Sequence, residues 1–513
     1  MNSSILDSSV PRLVLDFALH AKLEPMAVAE STMVSELGRL LSPDQVLSGP
    51  AAQRAYDCDA YSVDRSKPMC IVLPESTEQV AAVVKWCVAN QVPFTGRGAG
   101  TGLSGGALPA KGGVVVSTKR MNQILEIDIP NRCLKAQAGI ANKRLSDAVK
   151  DQGLHFAPDP SSQSVSTLGG NIAENAGGPH TLKYGVTAQH ILGVTMVSPE
   201  GEIWELGGKV AGGPGFDFVS LIVGSEGTVG LVTEAWVKLT PLPAAVQTAL
   251  IAFPTVRDAT ETVAEIIASG VIPAALEMMD RGILVALEAA FGLKYPEGTM
   301  ALLLVECDAQ GDSDKGDAPT ANTIVEAEIT KVAAICQAHN AIEVNIAQNE
   351  AERQKLWHAR KKGVGAMGRL APSIMTHDGV IPRSKLPEML DFVYEVAAKY
   401  RVNVANLFHA GDGNLHPCFY FDDRDPNQVH AVVEAGEEIT RRCVELGGSV
   451  TGEHGVGVEK QDLLPLMFSP DDLRLQAMAK QIFNDGDLCN PCKVLPTDKS
   501  CVEHKKRWRG VAW

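Results

Sequence analysis

The sequence predicts an α+β protein built from two main parts, and three features lead to this prediction. The first part opens with a β-α-β pattern, formed by apolar runs at 71–73 and 92–95 on either side of a helical segment. The second part, beyond about residue 245, mixes strands with longer helices, an order typical of helices that cover one face of an antiparallel sheet. Pro241 and Pro243 lie between the two parts and predict a domain boundary.

The helix of the first unit has clear start and stop signals. Ser76 and Gln79 have the spacing of a capping box, valines recur on one face, and Asn90 ends the helix. The strand that follows leads into segment 97–106, which holds five glycines in ten residues. Glycine exposes backbone N–H groups and tolerates positive φ angles, so this loop predicts a cradle for an anion such as a pyrophosphate.

The same loop contains Gly100, Gly102 and Gly105 at the spacing of the Rossmann dinucleotide fingerprint. A Rossmann loop opens a helix, whereas here Pro109 and two glycines follow at once, and then a strand begins. The sequence therefore predicts a glycine loop that joins two strands. A second glycine-rich loop is expected at 167–178.

The remaining elements follow from the same periodicities. Residues 1–45 are expected to form one or two helices, and the first part to continue with a strand at 133–138, a helix at 142–152, a hairpin around 199–201 and a strand at 229–239. The second part is expected to contain strands at 250–253, 301–306, 402–408 and 419–421, with helices near 257, 322, 350, 387 and 430. An acidic stretch at 308–317 predicts a solvent-exposed loop.

Composition and charge disfavour several functional classes. The 513 residues include 61 acidic and 46 basic side chains, a net charge of −15 at pH 7, which argues against a nucleic acid as partner. The 11 cysteines form no dense framework, which indicates a reducing compartment, so we expect a cytoplasmic protein. The apolar patch at 13–19 is too short to span a bilayer, and we expect no transmembrane segment.

Two histidines and a glutamate form the candidate reactive centre. His409 and His416 lie at the end of one predicted strand and the start of the next, with a glycine turn between them, so their imidazoles can converge. Glu453 lies in a separate glycine-rich motif at 451–457 and offers a third ligand. Two histidines and one carboxylate commonly hold a divalent metal with open positions, and Zn, Mn and Fe all accept this set.

The two glycine-rich segments resemble the flavin-binding domain shared by vanillyl-alcohol oxidase and p-cresol methylhydroxylase, and the resemblance extends through segment 225–233. It implies a two-part PCMH-type domain with FAD as the cofactor. The residues implied to contact FAD are Arg97, Gly98, Ala99, Gly100, Thr101, Gly102, Leu103, Ser104, Gly105, Pro160, Ser161, Thr167, Gly169, Gly170, Asn171, Ala173, Asn175, Gly177, Gly178, Glu226, Gly227 and Val232. Only His180 offers a side chain for covalent attachment near these loops, so we expect noncovalent FAD.

Segment 483–493 resembles a further part of this family, in which an asparagine approaches the flavin ring. The resemblance implies Asn490 as a contact of FAD. The family segment ends in Asn-Pro-Gly-Lys, and here Cys492 replaces the glycine.

The motifs around His409 and Glu453 resemble those of the FAD-linked D-2-hydroxy acid dehydrogenases, and the resemblance covers roughly residues 45–495. It implies that His409, His416 and Glu453 bind a metal and that His454 is the general base. It also implies a ferredoxin-like antiparallel sheet in the second part.

The same resemblance implies that Arg360 binds the substrate carboxylate, with Arg369 and Arg383 as less favoured candidates. The chemistry calls for these residue types, because an arginine fork orients a carboxylate through two charge-assisted hydrogen bonds. A metal lowers the pKa of the substrate hydroxyl, and a histidine takes its proton as hydride leaves C2 for flavin N5.

Segment 177–187 looks most like the flavin subunit of glycolate oxidase within this family. The 2-hydroxyglutarate branch surrounds its second carboxylate with a threonine, a lysine and an asparagine, where this sequence has Val364, Met375 or Thr376, and Cys418. A second carboxylate would lack partners, so glycolate or D-lactate is the expected substrate, with D-2-hydroxyglutarate or another D-2-hydroxy acid as the alternative. The electron acceptor stays open, with partner subunits of a glycolate oxidase complex as candidates.

Two alternatives from other classes also stay open. One is a zinc hydrolase that uses the two histidines and the glutamate, although it leaves both glycine-rich segments unexplained. The other is a flavin-binding electron-transfer subunit that is inactive alone. The predicted organisation is a helical segment at 1–45, an FAD-binding domain at 46–244, a substrate domain at 245–448 and a C-terminal segment at 449–513, which returns to the flavin and ends in a basic tail.

Overall fold

The computed structural model describes residues 28–109, 113–210, 212–311 and 320–496. The apolar patch at 13–19, most of the acidic stretch at 308–317 and the basic tail lie outside these ranges. The described residues mix helices and sheets, which confirms the predicted α+β class. None of the helices within them is both long and apolar enough to cross a membrane.

The described residues of the first part form two larger sheets, a separate two-stranded sheet and several helices. Its helices are α1 (Glu30–Leu40), α2 (Pro50–Ala55), α3 (Thr77–Ala89), α4 (Asn142–Asp147), α5 (Leu168–Glu174), α6 (Thr181–Tyr184) and α7 (Phe218–Ile222). Its strands are β1 (Val46–Leu47), β2 (Cys70–Val72), β3 (Phe94–Arg97), β4 (Val114–Ser117), β5 (Ile124–Asp128), β6 (Cys133–Gln137), β7 (Leu154–His155), β8 (Ile191–Val197), β9 (Ile203–Gly207), β10 (Leu231–Lys238) and β11 (Thr240–Pro241).

The first sheet carries the first glycine loop. Its strand order is β1-β2-β4-β3, and β4 pairs in parallel with both β2 and β3. The glycine loop leaves the end of β3 and returns at the start of β4, so it joins two strands as the sequence predicts. α3 crosses from β2 to β3, and the Ser76 side chain caps it by accepting a hydrogen bond from the Gln79 backbone N–H (3.3 Å).

The second sheet has the order β5-β6-β10-β8-β9, and the expected hairpin at 199–201 joins β8 to β9. The expectation of a loop over 167–178 is wrong for its first half, since Leu168–Glu174 form α5. Thr167 caps this helix by accepting a hydrogen bond from the Gly170 N–H (3.3 Å), and Leu168 and Ile172 are buried in the core. The cap and this burial offset the low helix propensity of two glycines.

The second part is built on a larger antiparallel sheet. Its strands are β12 (Ala245–Phe253), β13 (Ala275–Asp280), β14 (Ala301–Ala309), β15 (Glu343–Ile346), β16 (Ser373–Thr376), β17 (Gly379–Val380), β18 (Asn403–His409), β19 (Asn414–Leu415) and β20 (Pro417–Phe421). Its helices are α8 (Val256–Ala268), α9 (Arg281–Phe291), α10 (Ala321–Ala338), α11 (Glu350–Ala366), α12 (Leu386–Tyr400) and α13 (Pro426–Glu445).

Helices cover both faces of this sheet, so the expectation of helices on one face is wrong. Ile251 and Phe253 pack with α8, α10, α12 and α13, whereas Ala252 between them packs with α9 and α11 on the other face. Alternate residues of a strand point to opposite faces, and β14 is buried at every position, so both of its faces need a cover. The layer of α9 and α11 brings Arg360 toward the first part of the chain.

The C-terminal segment returns to the first sheet. α14 (Pro470–Phe483) follows the second part of the chain, and the chain then pairs with β3 through a parallel bridge between Phe94 and Cys489. The Phe94 N–H donates to Leu488 O (2.8 Å), and the Asn490 N–H donates to Phe94 O (2.7 Å). This pairing places segment 488–493 behind the glycine loop.

A buried polar cluster joins the two parts of the chain. Glu306 of β14 accepts hydrogen bonds from Trp357 Nε1 (2.7 Å) and Arg353 Nη1 (3.0 Å), both on α11. His180 of the first part places Nε2 3.2 Å from Glu306 Oε1 and Nδ1 2.7 Å from Asp159 Oδ2. Burial alone would lower the pKa of His180, but the two carboxylates outweigh it and raise the pKa well above its usual value.

We expect His180→Gln to lower the free energy of unfolding by about 1.5–3 kcal/mol near pH 6, the usual contribution of hydrogen bonds to charged groups. A histidine whose pKa rises on folding stabilises fully below its unfolded value of about 6.5, and this stabilisation is lost as pH rises through the folded value. The gap between wild type and variant in denaturant melts should therefore close at alkaline pH. His339→Gln, which removes a pair with Glu265 near the surface, is the control and should cost less than about 1 kcal/mol. A gap that is constant with pH would contradict a charged His180.

Candidate active site

A cavity of about 490 Å³ lies where the glycine loop, α5 and the sheet of the second part meet. Its volume is in the range of small-molecule and cofactor sites. The predicted FAD contacts on its wall are Arg97, Gly98, Ala99, Gly100, Thr101, Gly102, Leu103, Pro160, Ser161, Thr167, Gly169, Gly170, Asn171, Ala173, Glu226, Gly227 and Val232. Arg360, His416, Glu453 and His454 line the same cavity. Residues from both parts of the chain therefore share one enclosure.

The glycine loop presents its backbone to this cavity. Among the described residues, no acceptor takes a hydrogen bond from the backbone N–H groups of 98–103. Gly100 has a positive φ of 73°, and a Cβ added at Gly98 would lie 2.2 Å from Thr167 Oγ1, so both positions require glycine. The loop thus offers free donors at a place where side chains are sterically excluded.

Some of the predicted FAD contacts lie behind the wall instead of on it. Ser104 is fully buried, and its carbonyl accepts hydrogen bonds from the N–H groups of Val458 and Glu459 (3.0 and 3.2 Å). A Cβ on Gly105 would lie 2.5 Å from Val458 Cγ2. Both residues therefore pack the loop against the C-terminal segment.

The others also hold neighbouring backbone in place. Asn175 Oδ1 accepts from the Ala188 N–H (2.8 Å), and a Cβ on Gly178 would lie 2.5 Å from Asp159 O. Gly177 faces the metal-ligand candidates, since its Cβ would lie 2.9 Å from Glu453 Oε2. Asn490 is buried, and its Nδ2 donates to Gly106 O (3.0 Å) and Glu226 O (2.7 Å), which fastens the C-terminal segment to the glycine loop.

His409, His416 and Glu453 meet, although Glu453 is distant in sequence. Glu453 Oε1 lies 3.2 Å from His409 Nε2 and 3.3 Å from His416 Nε2. One ligand atom from each side chain lies within 4.8 Å of the other two. The buried His416 Nε2 makes no hydrogen bond of good geometry. The chain therefore presents a buried nitrogen that lacks a proper partner beside a carboxylate and a second imidazole, which fits a divalent metal.

The charge balance of this cluster also fits a cation. Burial alone would lower the pKa of His409, but the carboxylates of Glu277 and Glu453 raise it well above its usual value. Burial alone would raise the pKa of Glu453, whereas His409 and His416 hold it down to about 2. A shared proton thus balances the glutamate in the metal-free chain, and a divalent cation would replace that proton on binding.

His454 lies beside the cluster and on the cavity wall. Its ring stacks on that of His416 with centroids 4.8 Å apart, and its buried Nδ1 has no hydrogen-bond partner. Burial lowers the pKa of His454 to about 4. A neutral imidazole with an unused nitrogen next to a cavity can accept a proton.

Asp378 anchors the backbone of the motif that carries Glu453 and His454, and our sequence analysis missed it. It accepts hydrogen bonds from Thr451 Oγ1 (2.5 Å), from the Gly452 N–H (2.8 Å) and from the His454 N–H (3.2 Å). Lys460 Nζ adds an ion pair at 3.1 Å. Burial would raise the pKa of Asp378, but Lys460 and His454 outweigh it and hold the pKa well below its usual value. Only its position between two short strands, β16 and β17, could have indicated it.

Arg360 reaches the cavity from α11, and Arg369 and Arg383 do not line it. Arg360 is 5% exposed, and its Nε donates to Glu277 Oε2 (2.5 Å). Lys361, Val364, Leu407, Thr376 and Cys418 complete this end of the cavity, whereas Met375 is turned into the core. Apart from Arg360 and Lys361, this end lacks a cationic side chain among the described residues.

Known proteins share this architecture at the level of sequence. The chain matches the FAD binding domain over residues 68–207 and the C-terminal domain of FAD linked oxidases over residues 242–494. It is 41% identical over 448 residues to the glycolate oxidase subunit GlcD of Escherichia coli (strain K12), which covers 87% of this chain and 88% of that protein. The chain belongs to the FAD-linked oxidases. The family resemblance stated from the sequence is thereby confirmed.

Two further comparisons concern a more distant relative and a solved structure of similar fold. It is 33% identical to a D-lactate dehydrogenase of Anaerostipes hadrus, over 88% of this chain and 95% of that protein. The solved structure of p-cresol methylhydroxylase with substrate bound superposes with a TM-score of 0.74 at 16% identity, over 92% of this chain and 98% of that chain. The likeness confirms the PCMH-type fold, and family membership makes the protein an FAD-dependent oxidoreductase. The hydrolase alternative has no support.

We expect this FAD-linked oxidase to hold its flavin noncovalently. His180, the side chain considered for covalent attachment, has both ring nitrogens beside carboxylates and stacks on Trp357 with ring centroids 5.6 Å apart, away from the cavity wall. Acid precipitation of the purified protein should therefore release the yellow colour into the supernatant. Colour that stays with the precipitate would contradict this expectation.

Glu174, at the end of α5, is a second residue that the sequence analysis left out. It lines the cavity, and its buried Oε2 has no hydrogen-bond partner. Burial and the neighbouring Glu226 raise the pKa of Glu174 well above its usual value. The side chain of Glu174 lies close to Gly106 of the glycine loop and to Gly455 of the motif at 451–457. Cβ atoms added at these two positions would lie 2.6 and 2.2 Å from its oxygens.

Proposed function

We propose that this FAD-linked oxidase oxidises a small 2-hydroxy acid, glycolate or D-lactate, to the 2-oxo acid. The observation that carries the proposal is the shared cavity, whose wall includes the free backbone donors of the glycine loop together with Arg360, His416, Glu453 and His454. The printed names of the relatives, glycolate oxidase subunit and D-lactate dehydrogenase, support the substrate class. FAD, when bound along the glycine loop, supplies the acceptor for the hydride of C2.

Arg360 would bind the substrate carboxylate. Its Nε is occupied by Glu277, and neither Nη atom has a protein acceptor among the described residues. The two Nη atoms therefore stay available for a carboxylate at the cavity wall, where charge-assisted bonds are strong. This contact would orient C2 relative to the flavin end of the cavity.

His454 would take the hydroxyl proton. Its ring is neutral, lines the cavity and offers a nitrogen without a partner, as a general base must. His409, His416 and Glu453 would hold a divalent metal (Zn, Mn or Fe), which supplies a Lewis acid for the substrate hydroxyl. Asp378 would keep His454 in register with these ligands, since it accepts the His454 backbone N–H (3.2 Å).

The side chains near Arg360 favour a small substrate. Val364 and Leu407 are apolar. Thr376 Oγ1 and Cys418 Sγ lie 3.5 Å apart and pair with each other. A second carboxylate would find only Lys361 nearby and would otherwise be desolvated without partners. Glycolate and D-lactate, with a hydrogen and a methyl group on C2, avoid this cost.

The proposed partners follow the same comparison. The E. coli relative is named a subunit, so we propose that electrons pass from the flavin to partner subunits of a glycolate oxidase complex. We also propose a cytoplasmic location, on the basis of the cysteine usage described above. A chain that is silent by itself remains the competing description. Turnover of the isolated protein with an artificial electron acceptor separates the two.

The substrate class is tested by anaerobic mixing of the FAD-loaded protein with glycolate, D-lactate, L-lactate and D-2-hydroxyglutarate. We expect glycolate or D-lactate to bleach the flavin absorbance fastest. Bleaching by D-2-hydroxyglutarate alone would establish the alternative branch, and bleaching by none of the acids would contradict the proposed function.

Metal removal should abolish turnover without loss of FAD, because the ligand candidates and the glycine loop belong to different parts of the chain. We expect dialysis against a chelator to leave the yellow colour and to remove activity, and added Zn, Mn or Fe to restore it. His409→Ala should lose the metal, whereas His430→Ala, at an exposed histidine on α13, should retain it. Full metal content and activity in His409→Ala would rule out the ligand assignment.

A further inference from the structure

Glu277 is a carboxylate on β13 with no exposed surface. It lies directly opposite His409 in the pairing of β13 with β18, and it points to the face of the sheet that α9 and α11 cover. A buried charge is costly unless it is paired, so a glutamate here requires a specific arrangement around it.

The two oxygens of this carboxylate bind two different candidate site residues. Oε2 accepts a hydrogen bond from Arg360 Nε (2.5 Å), and Oε1 lies 2.7 Å from His409 Nδ1. One oxygen of Glu277 therefore faces the guanidinium and the other faces the imidazole, so both ends of the buried carboxylate have a partner.

Each bond orients its partner. A carboxylate can only accept, so His409 must donate from Nδ1, and its Nε2 is left to face Glu453 (3.2 Å). On the other side, the use of Nε turns the guanidinium so that both Nη atoms remain for a ligand in the cavity. One side chain therefore sets the geometry of a metal-ligand candidate and of the carboxylate-binding arginine.

We propose that Glu277 is a positioning residue that couples metal binding to substrate-carboxylate binding. This inference rests on the function proposed above. An amide at this position cannot replace the carboxylate, because an amide oxygen can accept from only one side while its NH₂ group meets a donor on the other. Loss of the carboxylate should therefore weaken both sites together.

The first experiment compares Glu277→Gln with wild type, both loaded with FAD, stripped of metal by a chelator and titrated with Mn²⁺. We expect the Kd for Mn²⁺ to rise about 10- to 100-fold, the usual effect of losing a partner behind a metal ligand. With saturating Mn²⁺, the KM for glycolate should also rise, since Arg360 loses its support. Glu277→Asp keeps the charge and should raise the Kd for Mn²⁺ and the KM for glycolate by smaller factors. It replaces Glu277→Gln in the experiment if that variant yields no yellow protein.

Asp280 provides a matched control. It is a buried carboxylate on the same strand, but it accepts from Tyr394 OH (2.7 Å) and Asn406 Nδ2 (2.8 Å) instead of site residues. Asp280→Asn should lower stability and leave the Mn²⁺ Kd and the glycolate KM unchanged. An unchanged Mn²⁺ Kd in Glu277→Gln, or equal shifts in Asp280→Asn, would overturn the inference.

The coupling itself is tested by combining Glu277→Gln with Arg360→Lys. If Glu277 links the two sites, the effect of the double variant on the Mn²⁺ Kd is smaller than the product of the two single effects. Effects that simply multiply would show independent sites and overturn the coupling. If the wild type reduces its flavin with glycolate, the proposed function stands whatever the variants show. If the wild type neither binds Mn²⁺ nor reacts with glycolate, the proposed function itself is wrong.

Discussion

His454→Ala should lower the rate of flavin reduction by glycolate or D-lactate about 10²-fold or more while FAD stays bound. The imidazole would be the group that takes the hydroxyl proton. Among the described residues, the other histidine on the cavity wall is His416, which is a ligand candidate. The measurement is stopped-flow absorbance of the flavin under anaerobic conditions with saturating substrate.

His190→Asn is the matched control for this variant. His190 is also buried, but its Nε2 bonds to Tyr184 O (2.8 Å) in the first part of the chain, away from the cavity wall. It should change stability and leave the rate of flavin reduction near that of wild type. A wild-type rate in His454→Ala would show that the base is a different group.

Arg360→Ala should lower kcat/KM for glycolate by about 10²-fold or more, mainly through KM. Removal of one member of a desolvated, hydrogen-bonded charge pair costs at least about 2–3 kcal/mol, which corresponds to roughly this factor. The variant also leaves the buried carboxylate of Glu277 with His409 as its remaining partner, which adds to the loss. Steady-state kinetics with an artificial electron acceptor measure the change.

Lys361→Ala separates a specific contact from general positive charge. Lys361 is the next residue on α11 and also lines the cavity, and its ammonium lies over the Trp357 ring at 5.6 Å from the centroid. We expect a small effect on kcat/KM, since we propose that Arg360 binds the carboxylate. Equal losses in the two variants would mean that the substrate is held by the field of both cations and not by an oriented fork.

Local sequence signals predicted the glycine-rich segments that line the cavity. Five glycines at 97–106 act through their own backbone, so their spacing alone indicates the cradle, and the segment does join β3 to β4. The same logic failed at 168–174, where a threonine cap and two buried apolar residues make a helix from a glycine-rich stretch. Glycine content indicates freedom of the backbone, and the neighbours decide how that freedom is used.

The second layer of helices was the largest miss in the fold. Apolar and polar residues do not alternate along β14, which is typical of a strand covered on both faces. No helix was predicted at the position of α9, which forms part of the second cover. This layer matters because α11 belongs to it and places Arg360 at the cavity.

The sequence by itself determined the family, the two glycine-rich segments and the residue types of the motifs around His409 and Glu453, because each is a short pattern whose members are near neighbours in the chain. Only the tertiary structure decided how Glu277, Arg360 and His409 are arranged, since 83 positions separate Glu277 from Arg360 and 132 separate it from His409. The same holds for Asp378 and the backbone of Glu453, 75 positions apart. A lone acid within an apolar strand has no local pattern, and its role arises only when folding desolvates it and requires it to find partners from other elements.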